Sequence, residues 1–69
     1  MAGTIRINGE DKAMTACTVA ELLRAEGVDP GARMLAVAVN GAVVARRDWP
    51  AALVAEGDRV EIVRPMQGG

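Results

Sequence analysis

Asn-Gly occurs twice in this 69-residue chain, at Asn8-Gly9 and Asn40-Gly41, each time directly after a short run containing β-branched residues. The pair supplies the positive φ values that a two-residue hairpin turn demands, so each occurrence predicts strand, tight turn and returning strand. Thr4-Ile5-Arg6-Ile7-Asn8 alternates polar and apolar and forms the first strand of one hairpin. Its return runs from about Asp11 to Thr15, with Met14 turned toward the core. Leu35-Ala36-Val37-Ala38-Val39 is apolar at every position, which suits a strand covered on both sides or one whose small alanine face lies against a neighbour. It is the candidate central strand, and Ala42-Val43-Val44 returns from it.

Between the hairpins, Thr18-Val19-Ala20-Glu21 has the capping-box form, in which the Thr18 hydroxyl accepts from the Glu21 N–H and the Glu21 carboxylate reaches back. Val19, Leu22 and Leu23 then share one helix face, while Glu21, Arg24 and Glu26 lie off it. Gly27 suits the left-handed residue that ends a helix near Glu26, and Val28 packs back on the last turn. Asp29-Pro30-Gly31 is a loop. Arg46-Arg47-Asp48-Trp49-Pro50 leaves the sheet, because Pro50 cannot donate to a ladder. After a turn at Glu56-Gly57-Asp58, Arg59-Val60-Glu61-Ile62-Val63 alternates as a last strand, with Val60 and Ile62 inward, Val63 outward, and Pro65 ending it. One helix laid across one face of a mixed sheet of about four or five strands buries these stripes most economically. The predicted fold class is therefore α+β, a β-grasp (ubiquitin-like) arrangement over residues 1–65, with residues 66–69 as a flexible C-terminal tail.

Composition limits the chemistry such a domain can carry. The chain contains no His, Ser, Tyr or Phe and a single Cys, so Ser-His and Cys-His nucleophile pairs and a His/Cys zinc site are excluded. No metal and no bound cofactor is expected. Area scaling leaves roughly 60% of the unfolded surface buried in a chain this small, too little core to spare for a deep pocket, which argues against a self-contained enzyme. A formal charge of -1 with one aromatic residue gives neither an electrostatic footprint nor a stacking platform for nucleic acid. The apolar run Met34 to Val39 is far shorter than the ~20 residues of a membrane span, and no signal-peptide h-region is read at the start. A cytoplasmic protein is the expectation.

What remains is the C-terminal segment Met66-Gln67-Gly68-Gly69. Two residues without Cβ make a thin strip whose carboxylate can enter a narrow nucleotide site. Attack of that carboxylate on the α-phosphate of ATP gives a mixed anhydride with AMP, and sulfide or a persulfide can then displace AMP. The product is a thiocarboxylate, a nucleophile that the carboxylate is not. All catalytic groups would belong to partners.

Five segments resemble the sulfur carrier proteins of thiamine biosynthesis, the ThiS family: Ile5 to Gly9, Thr18 to Leu23, Val37 to Trp49, Glu56 to Val63, and the Gly68-Gly69 end. Ala45 stands where that family often has Pro. The resemblance implies that Gly69 is adenylated by an E1-like (ThiF-type) enzyme and thiocarboxylated with sulfur from a cysteine desulfurase or sulfurtransferase. Thiazole synthase (ThiG-type) then takes the sulfur. ATP and the sulfur donor are used by the activating enzyme, and Met66, Gln67 and Gly68 enter a partner's active site with Gly69. In related carrier and activator pairs an apolar patch beside the tail docks on the enzyme. Val63 and Met66 are its candidates here, with Arg64, Arg46 and Trp49 as further interface candidates.

The remaining residues each have a plainer reading. Cys17 is expected to be a hydrophobic staple against Leu22 rather than a redox centre. Trp49 reads as a cover over the open edge of the core, or else an interface anchor. Arg46 and Arg47 read as solvated, or else as steering groups for an acidic partner. Met14 and Met34 read as gap-fillers. Three alternatives stay open at this level: the small subunit of a molybdopterin synthase, a ubiquitin-like protein modifier, and a passive interaction module.

Overall fold

A computed structural model describes residues 3–64 of the chain. The first Asn-Gly pair joins β1 (Thr4–Ile7) to β2 (Glu10–Ala13), and the second joins β4 (Ala36–Val39) to β5 (Ala42–Val44). Asn8 and Gly9 have φ of 50° and 85°, and Asn40 and Gly41 have 52° and 84°, the left-handed pair of a tight hairpin turn. A short β3 (Cys17–Thr18) leads into α1 (Val19–Ala25); a single 3-10 turn at Arg46–Asp48 precedes β6 (Leu53–Val54), and β7 (Arg59–Val63) comes last. The main sheet has the order β2-β1-β7-β4-β5, parallel between β1 and β7 and antiparallel elsewhere. This mixed five-strand sheet with one helix across it is the β-grasp arrangement.

The helix forms where its caps are written. Thr18 Oγ1 accepts from Glu21 N at 3.1 Å while Glu21 Oε1 accepts from Thr18 N at 2.8 Å. The next orphan donors, Val19 N and Ala20 N, donate to Ala52 O at 2.9 Å and Trp49 O at 3.1 Å, so the 49–52 segment completes the cap. At the other end Gly27, φ 76°, closes a Schellman motif: Gly27 N donates to Arg24 O at 3.0 Å and Val28 N to Leu23 O at 2.8 Å. Val28 is buried beside the last turn. Val19, Leu22 and Leu23 pack with Ile5, Val37 and Val60 as fully buried side chains between helix and sheet.

Three features differ from the sequence reading. The middle of the sheet belongs to β7, not to the 35–39 segment, which lies second from the edge. The all-apolar run does not mark two-sided burial: Val37 points inward while Ala36 is exposed and Ala38 half-exposed on the outer face. The middle strand tolerates Arg59 and Glu61 because that outer face is open. β2 covers Glu10–Ala13 rather than Asp11 to Thr15, because the two-residue turn fixes Ile7 opposite Glu10 and the paired register closes at Thr4 opposite Ala13, followed by one bond from Met14 N to Gly3 O at 3.2 Å. The β3-β6 ribbon, pairing Cys17 with Val54 and Thr18 with Leu53, was not expected, since two residues carry no alternation.

Candidate functional site

The strand that leads into the tail carries its side chains in the alternation expected: Val60 and Ile62 are buried, and Arg59, Glu61 and Val63 face out. Register then assembles a surface that no single segment shows. Ala36 stands opposite Val63, Ala38 opposite Glu61, and Val43 opposite Ala38 on the far side. Val43 and Val63 are 79% and 62% exposed, so two valines stand at either side of a floor of alanine methyls, next to the point where the described chain ends at Arg64. Arg64 is itself exposed. Val43 was missed by the sequence reading, although once Asn40-Gly41 is fixed as a two-residue turn its place opposite Ala38 follows.

Met34 lies two residues before Ala36 and is no gap-filler: it is 79% exposed and holds φ at 58°. A left-handed conformation at a non-glycine residue costs on the order of 1 kcal/mol or more, and here no burial offsets it. Met34→Gly is therefore expected to raise stability by about 0.5–1 kcal/mol after the added chain entropy of glycine, or about 2–8 °C in melting temperature for a domain of this size. A thermal melt showing no rise would contradict this reading of Met34.

Two interface candidates have partners within the fold, Trp49 buried and Arg46 exposed. Trp49 is 2% exposed, and its Nε1 donates to Val44 O at 3.0 Å. It is a core residue, because the 3-10 turn folds it back under the sheet edge, and it offers no face to a partner. Arg46 stacks over the Trp49 ring at 4.6 Å from the centroid and donates from Nη1 to Pro30 O and from Nη2 to Ala32 O, both at 2.6 Å. These bonds make the exposed Arg46 a latch for the loop that precedes β4. Gly69, Gly68, Gln67 and Met66 lie outside the described residues.

A family model described as the ThiS family matches residues 4–69. The chain belongs to the ThiS family. Two solved structures of a thiamine biosynthesis protein from Geobacter metallireducens are similar to it at 33% identity. The crystal structure, of a protein designated ThiS, has a TM-score of 0.77 and covers 96% of this chain and 99% of that one. The NMR solution structure has a TM-score of 0.78 and covers 96% of this chain and 87% of that one. A comparison with curated protein sequences gives no match.

Within this ThiS-family chain the described residues hold no group of His, Cys, Asp or Glu suited to a metal ion, and no helix long and apolar enough to cross a membrane. Two open grooves of about 260 and 360 Å³ lie on the outer face beside Arg6 and Arg59. Their charges are mixed, with Glu61 at one and Asp11 and Asp58 at the other, and Arg6 Nε already donates to Asp11 Oδ1 at 3.0 Å. Asp58 ties the last turn together, accepting from Ala55 N at 2.8 Å and from Asn40 Nδ2 at 3.1 Å, and these bonds hold its carboxyl below the usual carboxylate range. Cys17 is half-buried and packs against the core; that burial, followed by the negative charge of Glu21, pushes its thiol up from the ordinary range. A raised thiol pKa means less thiolate, the opposite of what a sulfur-accepting cysteine needs.

Proposed function

We propose that this ThiS-family chain is a sulfur carrier for thiamine biosynthesis, a co-substrate of partner enzymes rather than an enzyme. The observation that carries the reading is the family match, which runs from Thr4 through the tail to Gly69. In this reading the Gly69 carboxylate attacks the α-phosphorus of ATP on a ThiF-type enzyme and pyrophosphate leaves. A sulfide equivalent from a cysteine desulfurase or sulfurtransferase then adds to the acyl carbon, and AMP leaves with the bonding electrons. The thiocarboxylate formed gives its sulfur to a ThiG-type thiazole synthase.

Each part of the chain has a task in this scheme. Gly68 and Gly69 present the carboxylate with no Cβ to obstruct either face, and Gln67 and Met66 enter the partner's site behind them. The strip of Val43, Ala38, Ala36 and Val63 beside Arg64 is the docking surface for the activating enzyme. A mainly apolar strip of this kind, with Glu61 beside Ala38, fits a partner's apolar side chains, and burying it removes Val43 and Val63 from water.

Val63→Asp tests the docking surface. Val63 is 62% exposed, so the variant should fold as the parent does, while an unpaired carboxylate at the interface should raise the KM for the carrier in ATP–pyrophosphate exchange about tenfold. An unchanged KM in a stably folded variant would remove Val63 from the docking surface.

A further inference from the structure

The two Asn-Gly turns do more than reverse the chain, because both asparagine side chains turn onto β7, from opposite sides and at opposite ends. At the start of the strand, Asn40 N donates to Arg59 O at 2.7 Å and Asn40 Oδ1 accepts from Arg59 N at 2.9 Å. Toward its end, Asn8 Oδ1 accepts from Ile62 N at 2.8 Å and Asn8 Nδ2 donates to Ile62 O at 3.3 Å. The β1 ladder reaches only to Ile7 opposite Val60, with Asn8 N donating to Val60 O at 2.9 Å. Past that point the Asn8 carboxamide replaces a strand on the β1 side of β7. On the β4 side Val37 stands opposite Ile62 and Ala36 opposite Val63. The end of β7 is thus held by ladder pairs on one side and by one side-chain clamp on the other.

We infer that Asn8 is a positioning residue for the end of β7, its carboxamide fixing Ile62 and with it the placement of Val63 and Arg64 on the docking surface. This rests on the carrier reading above. Loss of the clamp lowers the fraction of free molecules whose β7 end presents Val63 and Arg64 in the docking geometry, which appears in KM; once bound, the partner's own contacts hold that end, so kcat is spared.

A plain structural role would be shared by Asn40, whose Oδ1 accepts from Arg59 N while its Nδ2 donates to Asp58 Oδ1, at the far end of the same strand. That makes it the control. Both residues hold positive φ, 50° and 52°, so glycine preserves either turn while deleting the carboxamide. The full chain with Asn8→Gly is expected to show a three- to tenfold higher KM for the carrier in ATP–pyrophosphate exchange with a ThiF-type enzyme, at unchanged kcat. Asn40→Gly is expected to lose as much thermal stability or more, with KM within about 1.5-fold of the parent. Equal KM changes in the two variants, or none in either, would overturn the inference. If the parent chain is itself no substrate, the carrier reading fails, and amide NMR relaxation decides the geometry separately. Increased motion at Val63 and Arg64 in Asn8→Gly but not in Asn40→Gly supports the clamp; equal motion in both refutes it.

Discussion

Replacing Trp49 by alanine is expected to leave a chain that is largely unfolded at room temperature. Truncating a buried tryptophan costs about 3–5 kcal/mol through lost transfer energy and the cavity left behind. A domain of this length has only about 3–10 kcal/mol in total at the usual per-residue stability. The loss reaches further here because the Trp49 side chain does two things at once. Its ring fills the space beneath the sheet edge, and its Nε1 bonds Val44 O. Arg46 loses the ring it stacks on, and with it the fixed geometry of its bonds to Pro30 and Ala32. Far-UV circular dichroism with urea titration reads the effect. A variant that keeps a near-native midpoint would show that the ring and the latch contribute little.

Removing Gly68 and Gly69 is expected to do the reverse: to abolish carrier function while leaving the melting curve as it was. The buried side chains of the core run from Ile5 to Ile62, so the truncation touches none of them. It moves the terminal carboxylate onto Gln67, a residue with a Cβ and a long side chain, two positions short of the reach the partner's site requires. Adenylation should fall below detection. Retained activity in the truncated chain would mean that a different group is modified.

The frame of the fold was legible because its punctuation is local. Asn8-Gly9, Asn40-Gly41, the Thr18 capping box and Gly27 each specify a backbone shape from residues next to one another, and the structure places each where the sequence does. Strand order was not legible in the same way. That β7 and not β4 occupies the middle depends on the parallel pairing of Arg6 with Arg59 and Ile7 with Val60, residues more than fifty positions apart. A strand with one open face carries charge on it whatever its place in the sheet, so hydrophobicity alone could not rank the two.

The site divides along the same line. Val63 follows from alternation within one strand and stands where expected. Val43, Ala36 and Ala38 join it only through cross-strand register, and Met34 only through a backbone angle that methionine does not announce. Arg46 and Trp49 were ambiguous for a physical reason: an Arg and a Trp near a sheet edge serve equally well as partner contacts or as a stacked internal pair. The burial of Trp49 makes it a core residue, and Arg46 stacks on it from the exposed side, bonded to carbonyls fourteen to sixteen residues away.

Intact mass decides whether the chain carries sulfur on its C-terminal carboxyl group. The purified chain, incubated with ATP, a ThiF-type enzyme and a sulfur source, is predicted to gain the mass that replaces one oxygen by one sulfur, and a chain lacking Gly68 and Gly69 is predicted not to. An unchanged mass, with the activating enzyme shown to be working on its own carrier, would contradict the account and favour a protein modifier or a passive interaction module.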